Sequence, residues 1–320
     1  MTRGRAVPMI TARHDSALRI RVVQREALRY DAETSSQVGA SWVRAGSALA
    51  RFGKRLIAVQ DDALWLGCWE EPGKLYAQAL PALGAGPRLF DDKLRKPDFE
   101  AAVVVGERLF VFGSGSLPSR ERIAVLDARG DARLIEAAGL YAALRGEPKL
   151  SGRQLNIEGA LLDGRQLVLY SRGNAAALDG EDGFDASVEL DATEFERCLE
   201  GTGAVPVLGP VQQYRLGAIR SVRLTLTDVA LRDGKRYYVA AAEASPDAIA
   251  DGQVFGTSLG VLDDDPRYGL IEAEDGTLLC DKVEGLLPGA KDDEWLAITD
   301  PDDASRPAEL LTLRRVASPG

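Results

Sequence analysis

The sequence predicts an all-β protein folded as a single β-propeller, and a fivefold internal repeat carries this prediction. A short motif returns at intervals of 52, 58, 70 and 56 residues, centred on Ala48, Glu100, Glu158, Asp228 and Glu284. Each copy leads within a few residues into a glycine-containing turn and a short apolar run, so each copy begins a β-hairpin. Units of three or four short strands repeated at such intervals are typical of propeller blades.

The predicted strands follow the turns in chain order. The strands directly after the turns are expected at 55–59, 108–112, 166–170, 236–241 and 295–299. Further β-like runs lie between glycine, proline and aspartate residues, at 123–127, 254–262, 269–273 and 308–316. These runs give each unit enough strands for one blade.

The chain ends are predicted to close the ring. The fifth unit has 36 residues after Glu284, which leaves it one strand short, and the alternating run 17–30 near the N-terminus can supply that strand. Pairing the two ends would remove exposed sheet edges. We therefore predict five blades, with six as the alternative, in a single domain over 1–320 in which 1–16 form a flexible tail.

The third unit is longer than the others and is predicted to carry an insertion at 180–201. Asp191 is a candidate N-cap, the next turn is acidic, and Gly201 ends the pattern. These signals predict a short helix over 191–200, preceded by a loop at 180–185.

The composition excludes several classes of function. The 320 residues carry a net charge of -10, which disfavours binding to nucleic acid and to anionic membranes. His14 is the one histidine, so histidine-based triads and histidine-rich zinc sites are excluded. Any acid–base chemistry must use carboxylates, lysine, tyrosine or metal-bound water.

The cysteines and the N-terminus predict a cytoplasmic protein. Cys68, Cys198 and Cys280 are far apart and lack a C-x-x-C spacing, as expected for reduced thiols. No apolar segment of a signal peptide or of a transmembrane helix is visible. The sequence leaves the oligomeric state open.

The repeat places carboxylates on the propeller axis. First strands of blades line the central channel, so Glu100, Glu158, Asp228 and Glu284 are expected to converge there. Clustered carboxylates need a metal ion, basic partners or shared protons. The four residues are therefore metal-ligand candidates, with Ca²⁺ as the expected ion. The alternative is structural, with each carboxylate accepting hydrogen bonds from neighbouring blades.

Basic residues are predicted at the mouth of the channel. Arg44, Arg95, Arg153 and Arg223 precede the repeat centres by four or five residues, and second strands end at Gln60, Ser114, Arg172, Glu243 and Asp300. The candidates for binding a small anionic molecule are Arg95, Arg153, Arg172 and Arg223. Glu158 and Glu243 are the catalytic candidates.

One stretch carries a family resemblance. Asn156-Ile-Glu-Gly-Ala-Leu-Leu-Asp-Gly-Arg-Gln-Leu-Val-Leu-Tyr170 resembles the phytase-like propellers described by "esterase-like activity of phytase", and the whole pattern resembles an uncharacterised bacterial propeller family of that kind. The resemblance implies a calcium-dependent protein, with Glu100, Glu158, Asp228 and Glu284 as ligand candidates.

Three functions fit the sequence. The first is a metal-assisted hydrolase of a small anionic ester, lactone or phosphate. The second is a non-catalytic propeller that binds a small ligand or a protein through the face on which the central channel opens. The third is a five-bladed glycosidase that uses two carboxylates.

Overall fold

Short antiparallel strands, connected mostly by tight turns, build almost the whole fold. The computed structural model describes residues 8–70, 73–173, 183–244 and 252–316. The N-terminal segment contains strands β1 (Ile10–Thr11), β2 (Arg13–His14) and β3 (Arg19–Ala27), followed by helix α1 (Ala32–Val38).

The first two units are four-stranded antiparallel sheets in chain order. The first contains β4 (Gly46–Phe52), β5 (Arg55–Gln60), β6 (Trp65–Glu70) and β7 (Tyr76–Ala79). The second contains β8 (Phe99–Val105), β9 (Arg108–Gly113), a 3₁₀ turn (Pro118–Arg120), β10 (Arg122–Asp127) and β11 (Ala132–Glu136).

The remaining units repeat this order. Two helices, α2 (Ala138–Arg145) and α3 (Pro148–Ser151), precede the third unit, which contains β12 (Ile157–Asp163), β13 (Gln166–Ser171), β14 (Asp185–Asp191), α4 (Ala192–Leu199) and β15 (Gln212–Arg215). A small ladder of β16 (Ala218–Ile219) and β17 (Val222–Arg223) leads to the fourth unit, which contains β18 (Thr225–Arg232), β19 (Lys235–Glu243), β20 (Val254–Val261) and β21 (Arg267–Glu272). The last unit contains β22 (Lys282–Pro288), β23 (Glu294–Asp300) and β24 (Glu309–Val316).

The first strands of the units meet around one axis. Strand β4 contacts β8, and the contacts continue through β12, β18 and β22 back to β4. Gly285 of β22 permits the last of these approaches, because a Cβ atom there would lie 2.8 Å from the backbone nitrogen of Leu49. Four-stranded sheets arranged around a central axis are a β-propeller.

The N-terminal segment supplies outer strands to three units. Strand β3 pairs antiparallel with β24, which is the pairing of chain ends that the sequence predicts. Strands β1 and β2 pair in parallel with β15 and β21. The expected flexible tail at 1–16 is therefore paired in its described part, and residues 1–7 lie outside the described residues.

The hydrophobic core lies between neighbouring units. Among the described residues, each of five buried clusters combines side chains from two adjacent units. The cluster around Trp65 and Ile298 joins the last unit to the first. This packing follows from the predicted strands, whose apolar residues cover both faces of each sheet.

The helices were only partly predicted. Helix α4 lies where the sequence predicts it, and the Asp191 side chain accepts hydrogen bonds from the backbone N–H groups of Thr193 and Glu194. Residues 180–182 of the expected loop lie outside the described residues, and β14 already begins at Asp185. Helices α1, α2 and α3 were not predicted. None of the described helices is long and apolar enough to cross a membrane.

Candidate functional site

Each first strand contains a β-bulge at the same place. The unpaired bulge residues are Ser47, Glu100, Glu158, Thr227 and Glu284. A bulge adds one residue to a strand and changes which side chains face the axis. In three units the repeat centre inferred from the sequence is the bulge residue itself. In the other two units the centres, Ala48 and Asp228, lie one residue after the bulge residue.

Hydroxyl groups at two bulges connect neighbouring units. Ser47 donates a hydrogen bond of 2.5 Å to the Phe99 carbonyl, and Thr227 donates one of 2.6 Å to the Val283 carbonyl. Each accepting carbonyl directly precedes a bulge glutamate of the next unit. These hydrogen bonds therefore fix the backbone beside the axial carboxylates.

Replacing Thr227 by valine tests this connection. Thr227→Val keeps the side-chain shape but leaves the buried Val283 carbonyl without its hydroxyl donor. We expect the free energy of unfolding to fall by about 1–3 kcal/mol in urea denaturation. The control is Thr312→Val at a half-buried position of β24, for which we expect a change within about 0.5 kcal/mol. Equal losses in the two variants would contradict a connecting role for Thr227.

Asp228 has a structural position. One of its carboxylate oxygens accepts a hydrogen bond of 2.7 Å from the Val229 N–H, and the other accepts one of 2.8 Å from the Leu286 N–H. Asp228 thereby joins β18 to β22, and burial raises its pKa well above the ordinary value. Asp228 lies close enough to Glu158 and Glu284 to interact with them electrostatically, but both of its oxygens already accept backbone hydrogen bonds.

Among the described residues, an ion-paired group that includes seven carboxyl groups and four cationic groups lies around the axis. The carboxyl groups belong to Asp61, Asp98, Glu100, Glu158, Glu243, Glu284 and Asp300. The cationic groups belong to Lys96, Arg120, Arg172 and Lys282. Most of these side chains are buried. Because the carboxyl groups outnumber the cationic groups, protons or an added cation must balance the remaining charge.

Arg172 connects glutamates of three units. Its Nη2 lies 2.8 Å from Glu243 Oε2, and its Nη1 lies 3.6 Å from Glu158 Oε1 and 3.9 Å from Glu284 Oε1. Its Nε donates a hydrogen bond of 3.0 Å to Thr225 Oγ1. The predicted anion-binding residue Arg172 is thus already ion-paired.

Two lysines neutralise other parts of the group. Lys282 Nζ lies 2.8 Å from Glu284 Oε1 and 4.0 Å from Asp300 Oδ2. Lys96 forms ion pairs with Asp61 and, at 3.1 Å, with Asp98. Burial lowers the pKa of an isolated lysine, but the surrounding carboxylates raise the pKa of both lysines well above the ordinary value. Both ammonium groups are therefore charged.

The two catalytic candidates differ in protonation. Burial raises the pKa of Glu158 to about 8, an effect that Arg172 opposes and Glu284 reinforces. Burial acts in the same direction on Glu243, but Lys282, Arg172 and the Gly252 N–H hold the pKa of Glu243 below its ordinary value. Near neutral pH, Glu158 is therefore mostly protonated and Glu243 is ionised.

The raised pKa of Glu158 predicts a pH-dependent stability. An unfolded glutamate titrates near 4.5, so between pH 4.5 and about 8 the folded protein holds a proton that the unfolded chain loses. The stabilisation is complete below that interval and is lost as the pH rises through it. We expect the free energy of unfolding to fall by up to about 1.4 kcal/mol per pH unit from this group.

Urea denaturation between pH 5 and pH 9 measures this effect. In Glu158→Gln the free energy of unfolding should decline less steeply with rising pH. The exposed control Glu107→Gln should keep the wild-type decline. The charged groups that face Glu158 are Asp98, Glu100, Arg172, Asp228, Lys282 and Glu284. An unchanged slope in Glu158→Gln would assign the decline to those neighbours.

The basic residues predicted at the mouth of the channel are dispersed in the structure. Arg95 and Arg153 are exposed, and Arg44 forms ion pairs with Asp62 and Asp91. Arg223 donates a hydrogen bond to the Gly173 carbonyl. The structure therefore brings Arg172 alone, of the four anion-binding candidates, into the described axial group.

Four residues of the axial group were absent from the predicted site: Asp61, Asp98, Arg120 and Lys282. A second repeat points to two of them, because Asp98 and Lys282 stand two residues before a bulge glutamate. Asn156 occupies the same place in the third unit and donates a hydrogen bond of 2.6 Å to Glu158 Oε1. This spacing was visible in the sequence.

Comparison with known protein families gives a clear assignment. Residues 42–314 match the family described as a family of unknown function, DUF6929. The chain belongs to the DUF6929 family. No curated protein matches the sequence significantly. Membership in the family therefore establishes relationship without naming an activity.

Several solved structures resemble this DUF6929 protein in fold. A GH43 β-1,3-galactosidase with galactodeoxynojirimycin is 9% identical and has a TM-score of 0.51, covering 90% of this chain and 93% of the other. Glutaminyl cyclase of Myxococcus xanthus is 10% identical with a TM-score of 0.48, covering 97% and 100%. A β-propeller domain of Cps50 (Swd1) from Myceliophteria thermophila is 11% identical with a TM-score of 0.36, covering 85% and 97%.

A small cavity reaches the axial group of this DUF6929 protein. It has a volume of about 30 Å³ and is lined by Arg172 together with Ser151, Gly152, Gln154 and Phe184. A cavity of this size can hold a water molecule. Water can thus lie beside Arg172, whose guanidinium contacts both Glu158 and Glu243.

Proposed function

We propose that this propeller is a hydrolase whose acid–base pair is Glu158 and Glu243. The observation that carries the proposal is that both glutamates contact Arg172 while their pKa values are shifted in opposite directions. Two neighbouring carboxyl groups in different protonation states are the arrangement that general acid–base catalysis requires.

Each glutamate has a defined role in this proposal. The protonated carboxyl of Glu158 donates its proton to the leaving group. The ionised carboxylate of Glu243 removes a proton from the attacking water. Arg172 positions both groups.

The charge of the site favours an uncharged or cationic substrate. The axial carboxyl groups outnumber the cationic groups, and Arg172 is already paired with glutamates. An anionic substrate would meet repulsion from this group. We therefore propose a small neutral or cationic ester, lactone or glycoside in place of the anionic substrate expected from the sequence.

A panel of chromogenic substrates tests the proposal. It contains p-nitrophenyl acetate and neutral p-nitrophenyl glycosides, with p-nitrophenyl phosphate as the anionic comparison. We expect turnover of a neutral substrate that declines above about pH 8, where Glu158 loses its proton. Glu158→Gln should lower kcat by about 10²–10⁴-fold.

The matched control lies on the same strand. Asp163 ends β12 at the turn far from Glu158 and pairs with Arg236. Asp163→Asn should keep both kcat and the pH profile. Full activity of Glu158→Gln, or turnover of the anionic substrate alone, would overturn the proposed roles.

A second candidate function is non-catalytic binding of a small ligand at the axial group. The ion pairs of Arg172 and Lys282 support it, because they leave Glu243 and Glu284 neutralised within the protein. In this case calorimetry with a bound sugar or ester would show affinity without turnover. The affinity would also survive Glu158→Gln.

We also propose that the propeller has five blades. The support comes from the repeated pairing of four strands in each unit, with β3 completing the last, and from the buried clusters between neighbours. An experimental structure with a sixth sheet between β22 and β4 would contradict this number.

A further inference from the structure

Three carboxylates of the axial group form a cluster with which Arg172 makes no ion pair. Carboxylate oxygens of Asp61, Asp98 and Glu100 all lie within 4.8 Å of one another. Asp61 directly follows β5, Asp98 directly precedes β8, and Glu100 is the bulge residue of β8. The group therefore joins the first unit to the second.

Glu100 is the unpartnered member of this group. Lys96 pairs with Asp61 and Asp98, and Arg120 Nη1 lies 2.7 Å from Asp98 Oδ2. Glu100 is 7% exposed, and the described residues provide it with no hydrogen bond and no ion pair within 4.0 Å. A buried carboxyl group with an oxygen directed at two other carboxylates is costly to leave unsatisfied.

We propose that Asp61, Asp98 and Glu100 form a site for a hard divalent cation, for which the ammonium group of Lys96 competes. Carboxylate oxygens are the ligands that Ca²⁺, Mg²⁺ and Mn²⁺ prefer, and water completes their coordination. Lys96 and Arg120 together neutralise Asp61 and Asp98 and leave Glu100 unpaired. A bound cation satisfies all three and joins the first two units.

Lys96 makes the proposal specific. An ammonium group in contact with Asp61 and Asp98 opposes the entry of a second positive charge. Lys96→Met removes this competitor and keeps most of the side-chain volume. The variant should therefore bind the cation more tightly than the wild-type chain does, which a purely structural group of carboxylates would not show.

Isothermal titration calorimetry on the full chain tests the site. The protein is treated with EDTA, dialysed and titrated separately with Ca²⁺, Mg²⁺ and Mn²⁺. We expect one cation per chain, with the Kd lowered about tenfold or more in Lys96→Met and raised about tenfold or more in Glu100→Gln. The exposed control Glu107→Gln should keep the wild-type Kd.

Circular dichroism of each variant establishes that it is folded. Absence of binding by all three ions in the wild-type chain and in folded Lys96→Met would overturn the proposal. An equal Kd for the wild-type chain, Glu100→Gln and Glu107→Gln would also overturn it. If Lys96→Met does not fold, loss of binding in folded Glu100→Gln alone still supports the site, and unchanged binding there refutes it. The measurement needs no substrate, so its result is separate from that of the proposed hydrolase.

Discussion

Arg172→Met should lower the free energy of unfolding by about 3–5 kcal/mol, because it leaves buried carboxylates without their shared cation. Arg172 is 4% exposed and contacts Glu158, Glu243 and Glu284. Methionine fills most of the volume but provides neither charge nor hydrogen bonds. Urea denaturation at pH 7 measures the loss.

The pH dependence separates charge from packing in this variant. Without the guanidinium, the glutamates must take up protons to remain buried, so the loss should shrink as the pH is lowered toward 5. The matched control is Arg165→Met at the surface, where the arginine side chain is 79% exposed and pairs with Asp191. We expect the free energy of unfolding of this control to fall by less than about 1 kcal/mol. A loss in Arg172→Met that is equally small, or independent of pH, would contradict the role given to Arg172.

Val22→Asp should prevent stable folding. Val22 lies in β3, is 1% exposed, pairs with Leu313 and packs with the core between the fourth and fifth units. An aspartate there buries an unpaired charge in the strand that closes the propeller. We expect a loss of about 4 kcal/mol or more, seen as loss of the cooperative unfolding transition.

The next residue provides the control. Val23 is 40% exposed and is a bulge residue of β3 without a partner in β24. Val23→Asp should remain folded, with a change within about 1 kcal/mol. If both variants unfold, β3 tolerates no charge at either position. If both fold normally, the closure by β3 contributes little to stability.

The strands and the closure of the ring could be predicted because their signals are local. Turn glycines and apolar runs place β5, β9, β13, β19 and β23 within a residue or two of their observed bounds. The shortage of one strand at the C-terminus and the alternating run near the N-terminus likewise predict the pairing of β3 with β24. Helix α2 was missed, although the buried Leu140, Tyr141 and Leu144 have helical spacing.

The candidate site was only half predictable because β-bulges and ion pairs depend on the tertiary structure. Spacing aligned Asp228 with the glutamates, but the bulge places Thr227 in the equivalent position. The sequence indicated Arg172 and Glu243 at strand ends, yet it could not show that they contact each other. Asp61 and Lys96 come together from segments that no repeat connects.

The three outer strands at the N-terminus determine when the protein can finish folding. Ile10 pairs with Tyr214, and Arg19 pairs with Val316, so β1 and β3 must wait for partners that are synthesised some 200 and 300 residues later. Contacts of such separation form slowly. Until then, the edge of β24 and the apolar residues of β3 stay open to a second chain. Closure within one chain therefore competes with exchange of β3 between two chains, and high protein concentration during refolding should favour the exchanged dimer.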